Sequence, residues 1–189
     1  MQANPLWIDV PVTLETDRLL LRCPRPGDGQ AVNEGLRDSW KELQQWMTWA
    51  SGTPPPIDET EGFNRHQIAD WKAHVAFHFN LFLREDEVFV GKCSLFDIDW
   101  NIPKGEIGYW LRTPYTGRGL MTEAVRAVEG LALETLGFVR VEIRCDPYNR
   151  RSAAVAERLG YVREARLRND SRNPRGALRD TLVYSKITL

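Results

Sequence analysis

Apolar and polar positions alternate along this chain in a way that predicts short strands and a few amphipathic helices. Arg18-Leu19-Leu20-Leu21-Arg22-Cys23, an apolar run stopped by Pro24 and Pro26, reads as a strand. From Gly29 to Trp49 the pattern is helical but broken, and rich in tryptophan (Trp40, Trp46, Trp49). Asp58 to His74 reads as a second helix, with Asp58 as its cap and Glu59 and Glu61 in its first turn. The proline cluster at 53–56 is the loop between them. Phe77, Phe79, Leu81 and Leu83 alternate with mostly polar neighbours, Arg84-Glu85-Asp86-Glu87 makes a turn, and Val88 to Ile98 runs back. Lys104 to Arg112 is a third strand, and connections this short require an antiparallel meander.

The pattern then changes. Thr116-Gly117-Arg118-Gly119 leads into a long helix, Leu120 to Leu136. Met121, Ala124, Val125, Val128, Leu131, Ala132 and Leu136 follow the spacing of one buried stripe, and Gly137 ends it. Val139 to Cys145 is a period-2 strand. A shorter helix follows from Asn149 or Arg150 to Leu159, and strands from Tyr161 to Arg168 and Ala177 to Ile187 finish the chain. The order predicts an α+β (mixed α/β) sheet domain. No linker or repeat divides it, so 1–189 is expected to be one domain, with 1–11 a flexible N-terminal extension.

Composition narrows the function classes. Lys plus Arg (25) against Asp plus Glu (26) gives a net charge of -1, which argues against a dedicated nucleic-acid binder. No apolar run reaches the ~18 residues of a membrane span, and the N-terminus lacks the pattern of a secretory signal. A cytoplasmic protein with no membrane partner is expected. Cys23, Cys93 and Cys145 have no C-x-x-C spacing and read as reduced buried thiols. His66, His74 and His78 lack ligand spacing, so no metal is assigned.

The chemistry concentrates where the strand Lys104–Arg112 runs into a glycine-rich turn that opens a long helix. That arrangement aims unpaired backbone N–H groups and the positive end of a helix dipole at one point, which suits a phosphate or pyrophosphate. A bare Gly-x-Gly also occurs in plain turns and helix caps. Two longer segments add specificity. Glu106-Ile107-Gly108-Tyr109-Trp110-Leu111 followed by Gly117-Arg118-Gly119-Leu120-Met121-Thr122-Glu123-Ala124, and then Asn149-Arg150-Arg151-Ser152 with Leu159-Gly160-Tyr161, resemble the acetyl-CoA-binding core of the GCN5-related N-acetyltransferases (GNAT). They look most like the RimJ/RimL branch, which acetylates the N-termini of ribosomal proteins. Thr16-Asp17-Arg18-Leu19-Leu20-Leu21-Arg22 and Asp180-Thr181-Leu182-Val183-Tyr184-Ser185 also fit, so the resemblance covers nearly the whole chain from about residue 12.

The resemblance implies a GNAT fold: a central, mostly antiparallel twisted sheet of about seven strands, flanked by about four helices. Acetyl-CoA is expected at the splay between the fourth and fifth strands. It implies that the amides of Gly117, Arg118, Gly119, Leu120, Met121 and Thr122 hold the pyrophosphate. Those around Leu111 and Arg112 polarise the thioester, and Asn149 binds the pantetheine arm. The acceptor wall is expected at Trp46, Trp49 and Tyr109. Thr116 and Met121 depart from the family's Gln/Arg-x-x-Gly-x-Gly/Ala pattern, although an amide donates whatever its side chain. Ala156 stands where many members keep a tyrosine acid, and Ser152 is the natural replacement as donor to the departing thiolate. Asn149 and Ser152 equally fit an ordinary helix-capping pattern.

Glu106 is the candidate base. It shares a strand face with Gly108 and Trp110, where a glycine gap could hold a water that collects the amine proton. An α-amine, with a pKa near 7.7–8.0, suits such a single carboxylate better than a lysine at about 10.4. Glu142, between Arg140 and Arg144, reads as plain charge pairing. Cys145 belongs to its strand's inward face and is not taken as a nucleophile. The expected function is direct acetyl transfer from acetyl-CoA to an amine, preferably a protein N-terminus. A small-molecule amine acyltransferase and a non-catalytic acyl-CoA-binding module stay open. The resemblance also admits a homodimer.

Overall fold

The computed structural model describes residues 5–188. Eight strands form one sheet in the order β1-β2-β3-β4-β5-β6-β8-β7. They are β1 (Thr13–Glu15), β2 (Leu19–Arg22), β3 (Phe77–Leu83), β4 (Phe89–Asp99), β5 (Lys104–Leu111), β6 (Arg140–Cys145), β7 (Val162–Arg172) and β8 (Leu178–Ile187). All neighbours pair antiparallel except β5 and β6. The strand beyond the expected seven is β1, whose three residues are too few to show a period. Of the extension expected over 1–11, residues 1–4 lie outside the described residues. Pro5–Trp7 form a 3-10 turn, and Val10 is buried in the main core.

Four helices cover the sheet: α1 (Gly29–Trp46), α2 (Ile57–Lys72), α3 (Leu120–Gly130) and α4 (Arg150–Arg158). α1 is one unbroken helix of 18 residues. Asn33, Gly35 and Ser39 interrupt its apolar pattern, yet all three are buried. At Gly35 a Cβ would come within 2.9 Å of the Phe89 ring, so the small residue lets helix and sheet approach. The chain turns extended at Met47 and leaves Trp49 outside the helix. In α2, Pro56 rather than Asp58 occupies the cap, and Asp58 and Glu59 sit in the first turn, facing the positive dipole end. The stripe of α3 is buried as expected and continues as a π turn through Leu131–Thr135.

Two cores result. Phe77, Phe79, Leu81, Leu95 and Ile107 on one sheet face pack against Ala124, Val125 and Val128 of α3. On the opposite face Val32, Leu36, Trp40 and Leu43 of α1 pack against Phe82, Phe89 and Trp110. Between the sheet's halves, β5 and β6 pair only at Lys104–Glu106 against Arg140–Glu142. Beyond that point they diverge, leaving β5 from Ile107 to Leu111 with an open edge.

Candidate active site

The open edge of β5 has a defined polarity. In an antiparallel pair, alternate residues direct both backbone groups toward the partner strand. Arg112 N–H donates to Val90 O at 2.7 Å, so its amide is committed to β4 and does not reach the gap. Its side chain is also occupied, donating to Phe89 O at 2.9 Å and pairing with Asp38 of α1. Arg112 therefore leaves the expected thioester set. Leu111, opposite Gly91 in the alternate register, turns its N–H toward the splay.

The glycine turn meets this edge. Gly117 (φ +77) and Gly119 (φ +78) adopt the left-handed conformation, which an L side chain resists. Gly119 caps α3 without a side-chain hydrogen bond. The first bond of the helix ladder runs from Glu123 N–H to Gly119 O at 3.1 Å. The amides of Leu120, Met121 and Thr122 thus lie in the turn whose donors have no partner within the helix. Leu120 and Met121 bury their side chains in the core, which leaves only their backbone to present. Arg118 folds over its own loop: it donates to Pro114 O at 3.1 Å, and its guanidinium lies 5.3 Å from the Tyr115 ring centre. The turn is held from behind by Glu123, which accepts from Thr16 Oγ1 at 2.6 Å, Arg18 N at 2.9 Å and Arg18 Nε at 2.7 Å.

Across the splay, α4 begins at Asn149, whose Oδ1 accepts from Ser152 N–H at 3.1 Å. The capping role is therefore real, and it leaves the Ser152 hydroxyl available. That hydroxyl lies 3.0 Å from Tyr109 OH, which also donates to Ser152 O at 3.2 Å. Tyr109, expected in the acceptor wall, lines the same cavity as Trp46 and Trp49, and its hydroxyl reaches Ser152 of α4. Burial pushes its phenol well above the usual range. Burial likewise pushes the Cys145 thiol up to about 11, with a Ser152 contact opposing it. At neutral pH Cys145 is a thiol beside the site rather than a thiolate.

On the helix-covered face of the sheet, cross-strand register brings polar residues into rows: Asn80 beside Lys92 beside Trp110, His78 beside Ser94 beside Gly108, and Phe96 beside Glu106. Apart from Asn80, these residues form the floor of a cavity of about 1300 Å³, roofed by α1, α2 and the loop between them. Glu106, Gly108 and Trp110 line it together, as the strand period requires. The glycine gap beside Glu106 is not open, however. A Cβ on Gly108 would come within 2.7 Å of the Phe96 ring, so the aromatic fills the space expected for water. Burial pushes the Glu106 carboxyl up to about 7, against the pull of Arg144, whose Nε is 3.4 Å away. Glu142 is held by Arg140 at 2.6 Å and Arg144 at 2.9 Å, and its carboxyl stays below the ordinary range although its burial opposes this. Trp46 and Trp49 both line the cavity, and Trp49 is half-exposed and tilted against Trp40. Arg179 donates to Trp46 O at 2.8 Å and pairs with Asp146 at 3.6 Å, tying β8 to the end of α1.

Lys92, Gln67, His78 and Ser94 belong to this cavity and carry no motif. For Lys92, His78 and Ser94 the signal was the polar half of the β3 and β4 alternation, which reads as solvent-facing until α1 and α2 are placed over it; Gln67 comes from α2 itself.

A strand that ends in an open edge, a glycine turn opening a helix and a second capped helix across the splay make an acyl-CoA-type transferase site. Residues 18–162 match the model of the acetyltransferase (GNAT) domain family. The chain belongs to this family of N-acetyltransferases, whose acetyl donor is acetyl-CoA. Among its relatives, YdaF of Bacillus subtilis (strain 168) is 29% identical over 171 residues, covering 89% of this chain and 91% of that one. The [ribosomal protein uS5]-alanine N-acetyltransferase of Escherichia coli (strain K12) is 25% identical over 169 residues, 81% of this chain and 79% of that one. Among solved structures, the RimL ribosomal L7/L12 α-N-protein acetyltransferase in complex with coenzyme A superposes with a TM-score of 0.84. At 23% identity over 94% of this chain and 97% of that one, that likeness is one of fold. Among the described residues no helix is long and apolar enough to cross a membrane.

Proposed function

We propose that this acetyltransferase modifies the N-terminal α-amine of a protein, in the cytoplasm, by direct transfer. The observation that carries the reading is the position of Glu106 on the cavity floor, where burial pushes its carboxyl up to about 7. A base of that strength takes a proton from an α-ammonium, near 7.7–8.0, at a cost of about one pK unit. For a lysine ammonium near 10.4 the gap is more than three units. A relative named as a [ribosomal protein uS5]-alanine N-acetyltransferase supports a protein acceptor.

The roles then follow from position. The uncapped first turn of α3, with the amides of Gly117 to Thr122, holds the pyrophosphate, and Asn149 stands beside the pantetheine arm. The acetyl thioester supplies the activated carbonyl. Leu111 N–H donates to its oxygen as negative charge develops there, an oxyanion-type contribution. Glu106, five residues along β5 from Leu111, receives the amine proton through water in the cavity. The Ser152 hydroxyl donates a hydrogen bond to the sulfur as the C–S bond breaks, with Tyr109 OH 3.0 Å behind it orienting that hydroxyl, and the departing thiolate takes its proton from solvent. A thiol near 8.5 is an easy leaving group, so this last assistance is modest. Trp46 and Trp49 form the wall against which the acceptor's first residues pack.

The test is release of free thiol from acetyl-CoA with a panel of short peptides of varied first residue, polyamines and aminoglycosides. Turnover on peptides that falls in Glu106→Gln and Ser152→Ala is the expected result. Turnover confined to polyamines or aminoglycosides would reassign the enzyme to small amines.

A further inference from the structure

The acceptor cavity contains a cation that the transfer chemistry does not use. Lys92, in the middle of β4, is 6% exposed and lines the cavity. Its Nζ donates to Gln67 Oε1 of α2 and lies 5.9 Å from the centre of the Phe63 ring. Among the described residues it forms no ion pair.

Asp28 and Asp70 have partners of their own, and Glu59 and Glu106, which line the same cavity, form no ion pair with Lys92 among the described residues. Asp28, the carboxylate whose charge acts on Lys92, is held by Arg22 at 2.6 and 2.7 Å and by Asn80 Nδ2 at 2.9 Å. Asp70 faces His78 at 3.4 Å and His66 at 3.6 Å. His78 is pushed down to about 4 by burial, so it is neutral and adds no competing charge. An ammonium with three donors and one neutral acceptor is under-satisfied, and burying it that way is costly. Burial accordingly pushes Lys92 down to about 7.

The position relative to the reacting edge is defined by register. Lys92 lies directly across from Trp110, next to Leu111, and its side chain rises toward α2. Nζ is thus roughly 10 Å from the open edge of β5, the reach of two to three extended residues. A group that enters with the acceptor and carries a negative charge at that distance would complete the ammonium's shell.

We infer that Lys92, oriented by Gln67, is a specificity-determining anion point that selects acceptors bearing a carboxylate one or two residues from the reacting amine. This rests on the peptide-acceptor reading. Phe63, exposed on α2 above the ammonium, supplies an apolar cover that shields the new pair from water.

The experiment compares kcat/KM on matched peptides that differ only by Asp against Asn, or Glu against Gln, at positions two and three. The wild-type enzyme is expected to favour the acid by about tenfold or more at one of these positions. In Lys92→Met and, independently, Lys92→Gln, the acid-to-amide ratio is expected to fall to near one. Because the readout is a ratio within each protein, a general loss of activity does not imitate it. No acid preference in the wild type, or one that survives in a folded Lys92 variant, overturns the inference. A parallel arm uses small amines with and without a carboxylate. Turnover of these alone, with the acid preference still Lys92-dependent, keeps the anion point while rejecting the peptide acceptor. Turnover of these alone without that preference rejects both.

Discussion

At the scale of single residues, Glu106 decides the pH behaviour. Its carboxyl is raised to about 7, so it is protonated and unable to accept a proton in acid. An α-amine acceptor must itself lose a proton near 8. The logarithm of kcat/KM should therefore be level above about pH 8, rise with slope one between 7 and 8, and have slope two below 7. Glu106→Gln should lower kcat/KM by about 10² and restore slope one below 7. A profile unchanged in the variant would remove Glu106 from the proton path. Stability has the opposite sign: a carboxyl raised on folding costs stability as pH increases from its ordinary value through 7. At pH 8 the Gln variant should therefore melt no lower than the wild type.

Ser152 and Tyr109 form a second residue-scale pair, joined at 3.0 Å. Ser152→Ala should reduce kcat by about tenfold, below the usual ~10²–10⁴-fold of acid–base assistance because a thiolate leaves readily. Its amide still meets the Asn149 cap, so the melting temperature should move little. Tyr109→Phe keeps the packing and should give a smaller loss of kcat with KM for acetyl-CoA unchanged. Equal, large losses of stability in both would mark the pair as structural.

At the scale of elements, the binding turn depends on a contact far away in sequence. Glu123, in the first turn of α3, ties down Thr16 and Arg18 through three hydrogen bonds. These bonds, partly to a charged group, hold its carboxyl below the ordinary range even though burial opposes them. The stability they confer is complete above the unfolded carboxyl's pKa and is lost as pH falls through the lower folded one. Glu123→Ala should cost about 2 kcal/mol and weaken acetyl-CoA binding, measured by denaturant melts and titration. Gly119→Ala should weaken that binding too, because φ +78 at the cap is strained for any side chain, by about 1–2 kcal/mol.

This contact also explains why parts of the site were legible. Thr16-Asp17-Arg18 and the Glu123 segment read as separate pieces of one family pattern, and they are physically one structure. The strands of the meander, the stripe of α3 and the capping of α4 were all visible because each is set by local period or local turn chemistry. β1 was not, since three residues paired with Leu20–Arg22 carry no period. The continuity of α1 was hidden because its buried polar and glycine positions face other elements, not water. Arg112 was misplaced by one residue of register, which turns an amide from the gap to the neighbouring strand.

At the scale of the molecule, the sheet does two jobs with its two faces. One face carries the main core under α3 and α4. The other carries a polar floor under α1 and α2, and the parting of β5 from β6 joins the two at the reacting edge. That parting is a property of the whole sheet, and no local pattern in 107–111 or 143–145 announces it. The resemblance to a known family supplied it. The cavity residues Lys92, Gln67 and His78 had no such help, because their chemistry exists only after the helices close over the strands.

The central claim is transfer to an α-amine. A peptide with a free N-terminus and one internal lysine, incubated with the enzyme and acetyl-CoA near pH 7.5, allows both acceptors to compete. Fragmentation mass spectrometry then locates the acetyl group. The structure of the site predicts acetylation at the α-amine, with the lysine left free. Acetyl on the lysine ε-amine, or an untouched peptide beside acetylated polyamines, would contradict it.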